Sequence, residues 1–336
     1  MPLAMTLHRF GIGNLRPEHR PLEVIGKQMV RVAVKAVALN YRDILVMRGT
    51  YGPGLALPLI PCSDGAGIVL DVGVDVDDLR TGDRVCTHMV PDWQDGPLEP
   101  RMRLSTLGGP AQGILCEERV LPRSAVTPIP DDLEFEEAAC LPVAGLAAWC
   151  ALNGGDIQRG SRVLLLGTGG VSMMALTIAR ALGAHIAVTS SSDEKLARVR
   201  VLGADLAVNY RKEGWVERVR AWSEGGVDIV VEVGGQGTLD QSIRAIRDGG
   251  HIALLGVLAR GSGAANLSEV LMRQIHMHGI FVGSQAELAR YVAFVAAHQI
   301  EPVIDRIFDG LEEARHAFAH LLAGQHMGKI LIRTSP

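Results

Sequence analysis

The chain has 336 residues, of which 48% are hydrophobic and 21% charged, and its formal net charge is −4. That length predicts about two domains with sizeable cores. With no block of like charge, neither nucleic acid nor an anionic membrane is expected as a partner. Cys62, Cys86, Cys116, Cys140 and Cys150 form no CxxC pair, the pattern of reduced thiols in a cytoplasmic compartment. The N-terminus carries no charged segment followed by an apolar run, and no window approaches the roughly 18 apolar residues of a membrane span. A soluble protein is expected.

Up to about residue 125, short β-branched runs alternate with Gly and Pro, as expected of a β-barrel or sandwich. They include "MVRVAVKAVAL" (29–39), "GIVLDVGVDV" (67–76) and "DRVCTHMV" (83–90). Residues 91–113 lose periodicity and hold Pro91, Gly96, Pro97, Pro100, Gly108 and Gly109; a loop of that length is usually functional or disordered.

From Arg162 the pattern changes. Strands are predicted at 162–167, 185–189, 205–210, 228–234, 251–256 and 279–283. Helices are predicted over 171–182, from Asp193, near 212–223, over 238–247 and near 267–275. Apolar strands alternating with helices predict a doubly wound parallel sheet. Gly203 and Gly249-Gly250 stand where helix C-caps belong. A helix over 311–324 and a strand over 329–334 follow Pro302 and return to the first domain.

"LLLGTGGVS" (164–172) closes the first of these strands and opens a helix. Gly167 and Gly169 satisfy the first two glycines of GxGxxG, and Ser172 takes the third place. The loop Gly167, Thr168, Gly169, Gly170 and Val171 would bring backbone N–H groups to a pyrophosphate at a helix N-terminus. An NAD site places an Asp or Glu at the end of the second strand. Here that end reads "VTSSSDEK", with neutral Thr189, Ser190, Ser191 and Ser192 followed by Lys195. Hydroxyls and an ammonium suit a 2′-phosphate, so NADP(H) is the expected cofactor. Asp193 and Glu194 count against this unless they point away; Ser191 and Glu194 also have capping-box spacing.

With "ALNYRD", "CSDGAG", "ACLPVAGLAAW" and "HMGKILI", these residues make the chain resemble the medium-chain dehydrogenase/reductase superfamily, in its zinc-independent, quinone-oxidoreductase-like branch. The resemblance implies a GroES-like β-barrel catalytic domain (1–127 and 301–336) and a Rossmann domain (128–300), with the active site in the cleft between them. It also implies a homodimer joined through sheet edges. By the same resemblance Ser190, Lys195 and Tyr210 would hold the 2′-phosphate and adenosine end. Val233, Gly234, Gly256, Val257, Phe281, Val282, Gly283 and Lys329 would line the path to the nicotinamide.

Zinc-dependent relatives take ligands from four places that here hold Asn40, Ser63, Asp64 and Val143. Only Asp64 is a plausible ligand, and zinc wants four strong donors. The Cys-rich structural zinc lobe expected near 90–115 has no Cys. His276 with His278, and Cys86 with His88, are expected as ordinary core or surface pairs.

Without a Lewis acid, an alkoxide is harder to stabilise than a delocalised enolate or hydroquinone oxygen. The expected reaction is therefore hydride transfer from NADPH to a small apolar quinone or α,β-unsaturated carbonyl. An NADP-linked alcohol dehydrogenase or ketone reductase is the alternative, and a non-catalytic NADPH-binding protein the second. Candidate donors are Asn40, Tyr41, Tyr51 and Ser63, with Asp43 and Asp64 as orienters. Against these stand plainer roles: Tyr41 as a core aromatic and Asn40 as a turn residue. Leu45 occupies the place of a Tyr common in relatives. Trp93 reads as a closing element or as an anchor for its loop, and Cys62 as a buried small hydrophobe.

Overall fold

The computed structural model describes every residue except 22, 53, 259–264 and 335–336. The chain divides into two compact units, Met1–Leu146 with Ser284–Pro336, and Ala147–Gly283. Residues 128–146 and 284–300, expected with the second domain, thus pack with the first.

The first unit opens with an antiparallel pair, β1 (Leu3–Leu7) and β2 (Leu15–His19). Then come β3 (Met29–Ala38), helix α1 (Tyr41–Met47), β4 (Asp64–Val72), β5 (Arg84–Thr87), β6 (Glu118–Pro122), β7 (Val126–Pro128) and helix α2 (Phe135–Ala139). In β3 alternate residues are buried until the last three, which are all covered. Period-2 burial is what a half-buried strand requires. A turn of π-helix, Leu141–Gly145, leads into α3 (Leu146–Gly154).

The second unit alternates strand and helix: β8 (Arg162–Leu166), α4 (Gly170–Ala181), β9 (His185–Ser190), α5 (Asp193–Val201), β10 (Leu206–Asn209) and α6 (Trp215–Trp222). It continues with β11 (Val227–Glu232), α7 (Leu239–Ala245), β12 (Ile246–Leu254), α8 (Leu267–Met272) and β13 (His276–Gly279). All pairs are parallel, in the order β10-β9-β8-β11-β12-β13. The strand order reverses between β8 and β11, the switch point beside which open α/β sheets bind ligands.

The chain then returns to the first unit through α9 (Gln285–His298), β14 (Ile304–Asp309), α10 (Ala314–Ala323) and β15 (Lys329–Arg333). That unit's main sheet runs β14-β15-β3-β4-β5-β7, with β6 also on β3. Ala314, Ala317, Phe318 and Leu321 of α10 lie three and four residues apart and are buried in its core, the stripe an amphipathic helix needs.

Several expectations shift. Gly249 and Gly250 lie inside β12 rather than capping a helix, because pairing with β11 resumes at Ile246, and the register slips between Val227 and Ile229. The last parallel strand ends at Gly279, not Gly283. Helix α9 went unread although Ser284 caps it by accepting from Glu287 N. Helix α1 also went unread; Asp43 Oδ2 accepts from Asn40 N at 2.8 Å, the reach-back of a capping box. Helix α5 is capped by Ser192, which accepts from Lys195 N, not by Ser191. Among the described residues no helix is long and apolar enough to cross a membrane.

The segment 91–113 is tied down at both ends. Gln285 N and Ala286 N donate to Trp93 O and Gln94 O. Arg42 holds Leu107 O and Gly109 O, each at 3.1 Å. Gly113 lies so close to the Pro61–Cys62 turn that a Cβ there would meet Cys62 O at 2.2 Å. Gly113→Ala is therefore expected to cost about 1–3 kcal/mol by overpacking. Urea unfolding of both proteins checks this, and an unchanged midpoint would contradict it.

Candidate active site

In the second unit, the sharp exit from β8 is made by Gly167, whose φ is 75°, a conformation that a β-carbon disfavours. Thr189 Oγ1 accepts from Gly167 N at 3.2 Å, pinning the loop to the end of β9. Ser172 fills the third glycine place and donates to Leu166 O at 2.7 Å, which fixes the start of α4 to the strand it leaves. A Cβ at Gly167 or Gly169 would meet nothing within 4 Å. Open space beside the first-turn amides of a 12-residue helix is the arrangement that receives a pyrophosphate. Thr168, Gly170 and Val171 belong to this loop and first turn. These residues fit a dinucleotide.

The structure brings Ser190, Lys195 and Tyr210 to the same edge of the sheet. Ser190 pairs in register with Asn209, and its carbonyl accepts from Tyr210 N at 3.1 Å. Lys195 sits in the first turn of α5. The Asp193 carboxylate accepts from Asn209 Nδ2 at 2.9 Å and from Lys212 Nζ at 3.1 Å.

Val233-Gly234, Gly256-Val257 and Phe281–Gly283 follow the C-terminal ends of β11, β12 and β13. Their loop has an organiser that the sequence reading missed. Glu232, fully buried, accepts from Gly234 N at 2.7 Å, Gly235 N at 3.0 Å, Thr238 Oγ1 at 2.6 Å, and the Ser242 hydroxyl. A carboxylate at a strand end followed by two glycines was the available signal.

In the first unit, a charged cluster lies at the ends of three adjacent strands. Ala38 closes β3 and pairs with Asp64, the first residue of β4, and with Leu331 of β15. Lys329 opens β15 and is 2% exposed. Its Nζ donates to Leu39 O at 2.8 Å and Asn40 Oδ1 at 2.6 Å, and lies 3.8 Å from Asp64 Oδ2. Asp64 accepts from Ser63 Oγ at 2.7 Å and from Val143 N, in the π-turn, at 3.1 Å. Arg42 reaches Asp43 at 3.3 Å. Burying charge is tolerated when it is paired and hydrogen-bonded, and this cluster balances two cations with two carboxylates.

Asn40, Ser63, Asp64 and Val143, expected from the zinc-ligand places, thus come together. A carboxamide, a hydroxyl and an alkyl side chain surround a single carboxylate that already faces an ammonium. Among the described residues no group of three or more His, Cys, Asp or Glu could hold a metal. The donor set does not fit zinc. His276 and His278 lie on β13 beside His251, whose ring stands edge-on to that of His278 at 6.1 Å.

Three candidate donors change standing. Ser63 was expected to offer its proton to a ligand, but it is fully buried and donates to Asp64 Oδ1, because a carboxylate can only accept. Tyr51 lies beneath the Arg42 guanidinium, 4.5 Å from the ring centroid. Tyr41, at the first position of α1, is 41% exposed and so is no core aromatic. Cys62 is buried with its thiol pushed well above the usual range by desolvation, so it is unsuited to nucleophilic attack. Trp93 Nε1 donates to Gly96 O within its own loop. Lys329, expected beside the nicotinamide, has its ammonium in the cluster described above.

Comparison with known proteins adds the following. Residues 26–131 match the family model for the alcohol dehydrogenase GroES-like domain, and residues 170–297 match that for zinc-binding dehydrogenase. A zinc-type alcohol dehydrogenase-like protein of Schizosaccharomyces pombe is 38% identical, with 96% of each chain covered. Quinone oxidoreductase-like protein 2 of Bos taurus is 26% identical over 90% of this chain and 84% of its own. The crystal structure of an NAD-dependent alcohol dehydrogenase superposes with a TM-score of 0.90 at 31% identity, covering 99% of this chain and all of that one.

Burial pushes Asp43 up to about 6 from the usual 3.8, against the pull of Arg42 and the Asn40 N–H. The folded state therefore holds this proton more tightly than the unfolded chain does. The resulting stabilisation is complete below about pH 4 and is lost as the pH rises through about 6. Relative to Asp43→Asn, the natural protein should lose stability between about pH 4 and about pH 7. Paired melting curves check the sign; a relative gain over that interval would contradict it.

Proposed function

Because the chain belongs to the medium-chain dehydrogenase/reductase superfamily, an oxidoreductase family that uses a nicotinamide cofactor, we propose that it is a zinc-independent, NADPH-dependent reductase of small apolar quinones or α,β-unsaturated carbonyls. The observation that carries this reading is the Lys329 ammonium, 2.6 Å from Asn40 Oδ1 and 3.8 Å from Asp64 Oδ2. A cation already faces the single carboxylate that could have ligated a metal.

The reduced nicotinamide supplies a hydride when bound. The chain must then stabilise the oxygen on which the electrons settle, and it does so with neutral donors. A conjugated acceptor spreads that charge, so a carboxamide N–H can serve where a lone alkoxide would call for a Lewis acid. Asn40 Nδ2 is buried and has no hydrogen-bond partner among the described residues; it is the group assigned to the substrate oxygen, with Tyr41 as its exposed neighbour. Asp43 fixes the Asn40 backbone.

The preference for NADPH is supported by Ser190 at the end of β9, by Lys195 in the first turn of α5 and by the position of Asp193. Its carboxylate is engaged by Asn209 and Lys212, so it is not the free acid that would bind a ribose 2′-OH. The outer edge of β13, last in its sheet, suits the proposed homodimer. A second reading, an alcohol dehydrogenase or ketone reductase, is favoured by the names of the S. pombe relative and of the superposed structure.

NADPH oxidation with 2-cyclohexen-1-one and 9,10-phenanthrenequinone, against NADPH oxidation with cyclohexanone and NADP+ reduction with primary alcohols, separates the readings. The conjugated substrates are expected to react at least about tenfold faster, and NADPH to exceed NADH in kcat/KM by about tenfold, the size of one charge contact. Turnover of only the ketones and alcohols would overturn the proposal.

A further inference from the structure

Lys329 lies in the first unit, and nothing in its contacts makes it a surface charge. Its ammonium is 2% exposed and is held by Leu39 O at 2.8 Å and by Asp64, which Ser63 Oγ and Val143 N hold in turn. One further contact remains, to Asn40 Oδ1 at 2.6 Å. An ammonium has three donors and no acceptor, so the amide atom facing it must be oxygen. The contact thereby decides the amide orientation.

The helix cap leaves Asn40 Oδ1 available for this. An Asn at an N-cap commonly accepts through its side chain from the first turn. Here Asp43 N donates to the Asn40 backbone carbonyl at 3.0 Å, and in the capping box that Asn40 forms with Asp43 the side-chain oxygen keeps a lone pair for a second bond. With Oδ1 turned to Lys329, the NH2 group is left buried and without a partner among the described residues. Unpaired buried donors are rare in native proteins and call for an explanation. A flipped amide would set NH2 against NH3+, donor against donor.

We propose that Lys329 is a positioning residue: by donating to Asn40 Oδ1 it fixes the carboxamide so that Nδ2 is held as a ready donor for the substrate's carbonyl or quinone oxygen. This rests on the reading of Asn40 given above. Lys329 does not itself meet the substrate; it acts through Asn40, and its removal lets the amide rotate. Asn40→Asp keeps a partner for the ammonium and removes the donor.

The test compares the natural protein, Lys329→Gln, Asn40→Asp and the double variant. NADPH oxidation with 2-cyclohexen-1-one is followed in each, and the Asn40 side-chain NH2 resonances are recorded wherever Asn40 is present, in selectively ¹⁵N-asparagine-labelled protein. Lys329→Gln is expected to lower kcat about tenfold alone, and less than about twofold further in the Asn40→Asp background, because both act on one group. The NH2 pair should shift and exchange faster with solvent in Lys329→Gln. If that variant does not fold, Lys329→Arg, also donor-only, should keep the natural resonances and recover most of the turnover. Equal losses in both backgrounds, or Asn40 resonances unmoved by Lys329→Gln, would overturn the inference. So would Lys329→Arg resonances as displaced as those of a freely rotating amide. Absence of enone and quinone turnover in the natural protein would sink the parent reading instead, and the resonances would still decide this one.

Discussion

An ammonium buried to 2% exposure must find charge and acceptors within the protein, since desolvation without them costs several kcal/mol. Lys329 finds a carboxylate in Asp64, 3.8 Å away, and two oxygens, Leu39 O and Asn40 Oδ1. Much of the first unit is arranged to make this possible. The ends of β15, β3 and β4 must lie side by side, so the C-terminal return of the chain is needed to complete a site begun at residue 40. The π-turn at Leu141–Gly145 turns Val143 N toward Asp64, and irregular helix of this kind often accompanies function. The segment 91–113 closes over the neighbouring Pro61–Cys62 turn and is clamped by Arg42.

The second unit solves a different problem, holding loops still at the ends of parallel strands. It does so with buried side chains that bond to the backbone. Ser172 ties α4 to β8, Thr189 ties Gly167 to β9, and Glu232 gathers two amides and two hydroxyls after β11. A loop whose amides are already bonded to a buried carboxylate has little to reorganise on binding, which is the basis of preorganised recognition.

The parallel sheet was legible because strands buried on both faces read as continuous apolar runs. Its phosphate loop was legible because glycine spacing there follows from backbone geometry. Less legible were the elements fixed by side-chain to backbone bonds. Helix α1 hid in "LNYRDILVM", since Asn40 and Asp43 read as site residues and not as a helix start. Helix α9 had a readable start in the Ser284–Glu287 spacing. The four positions aligned with zinc ligands were correctly brought together by resemblance. That Lys329 would enter the cluster from about 290 residues downstream depends on tertiary pairing of β15 with β3, which no local pattern encodes.

The central claim is that an ammonium, and not a metal, provides the positive charge beside Asp64. The most direct measurement is the zinc content of protein expressed in zinc-supplemented medium and purified without chelator, read by mass spectrometry alongside turnover before and after dialysis against chelator. The account predicts less than about one-tenth of a zinc per chain and unchanged turnover, since the cluster lacks the strong donors zinc requires. One tightly held zinc per chain, lost together with activity, would contradict it.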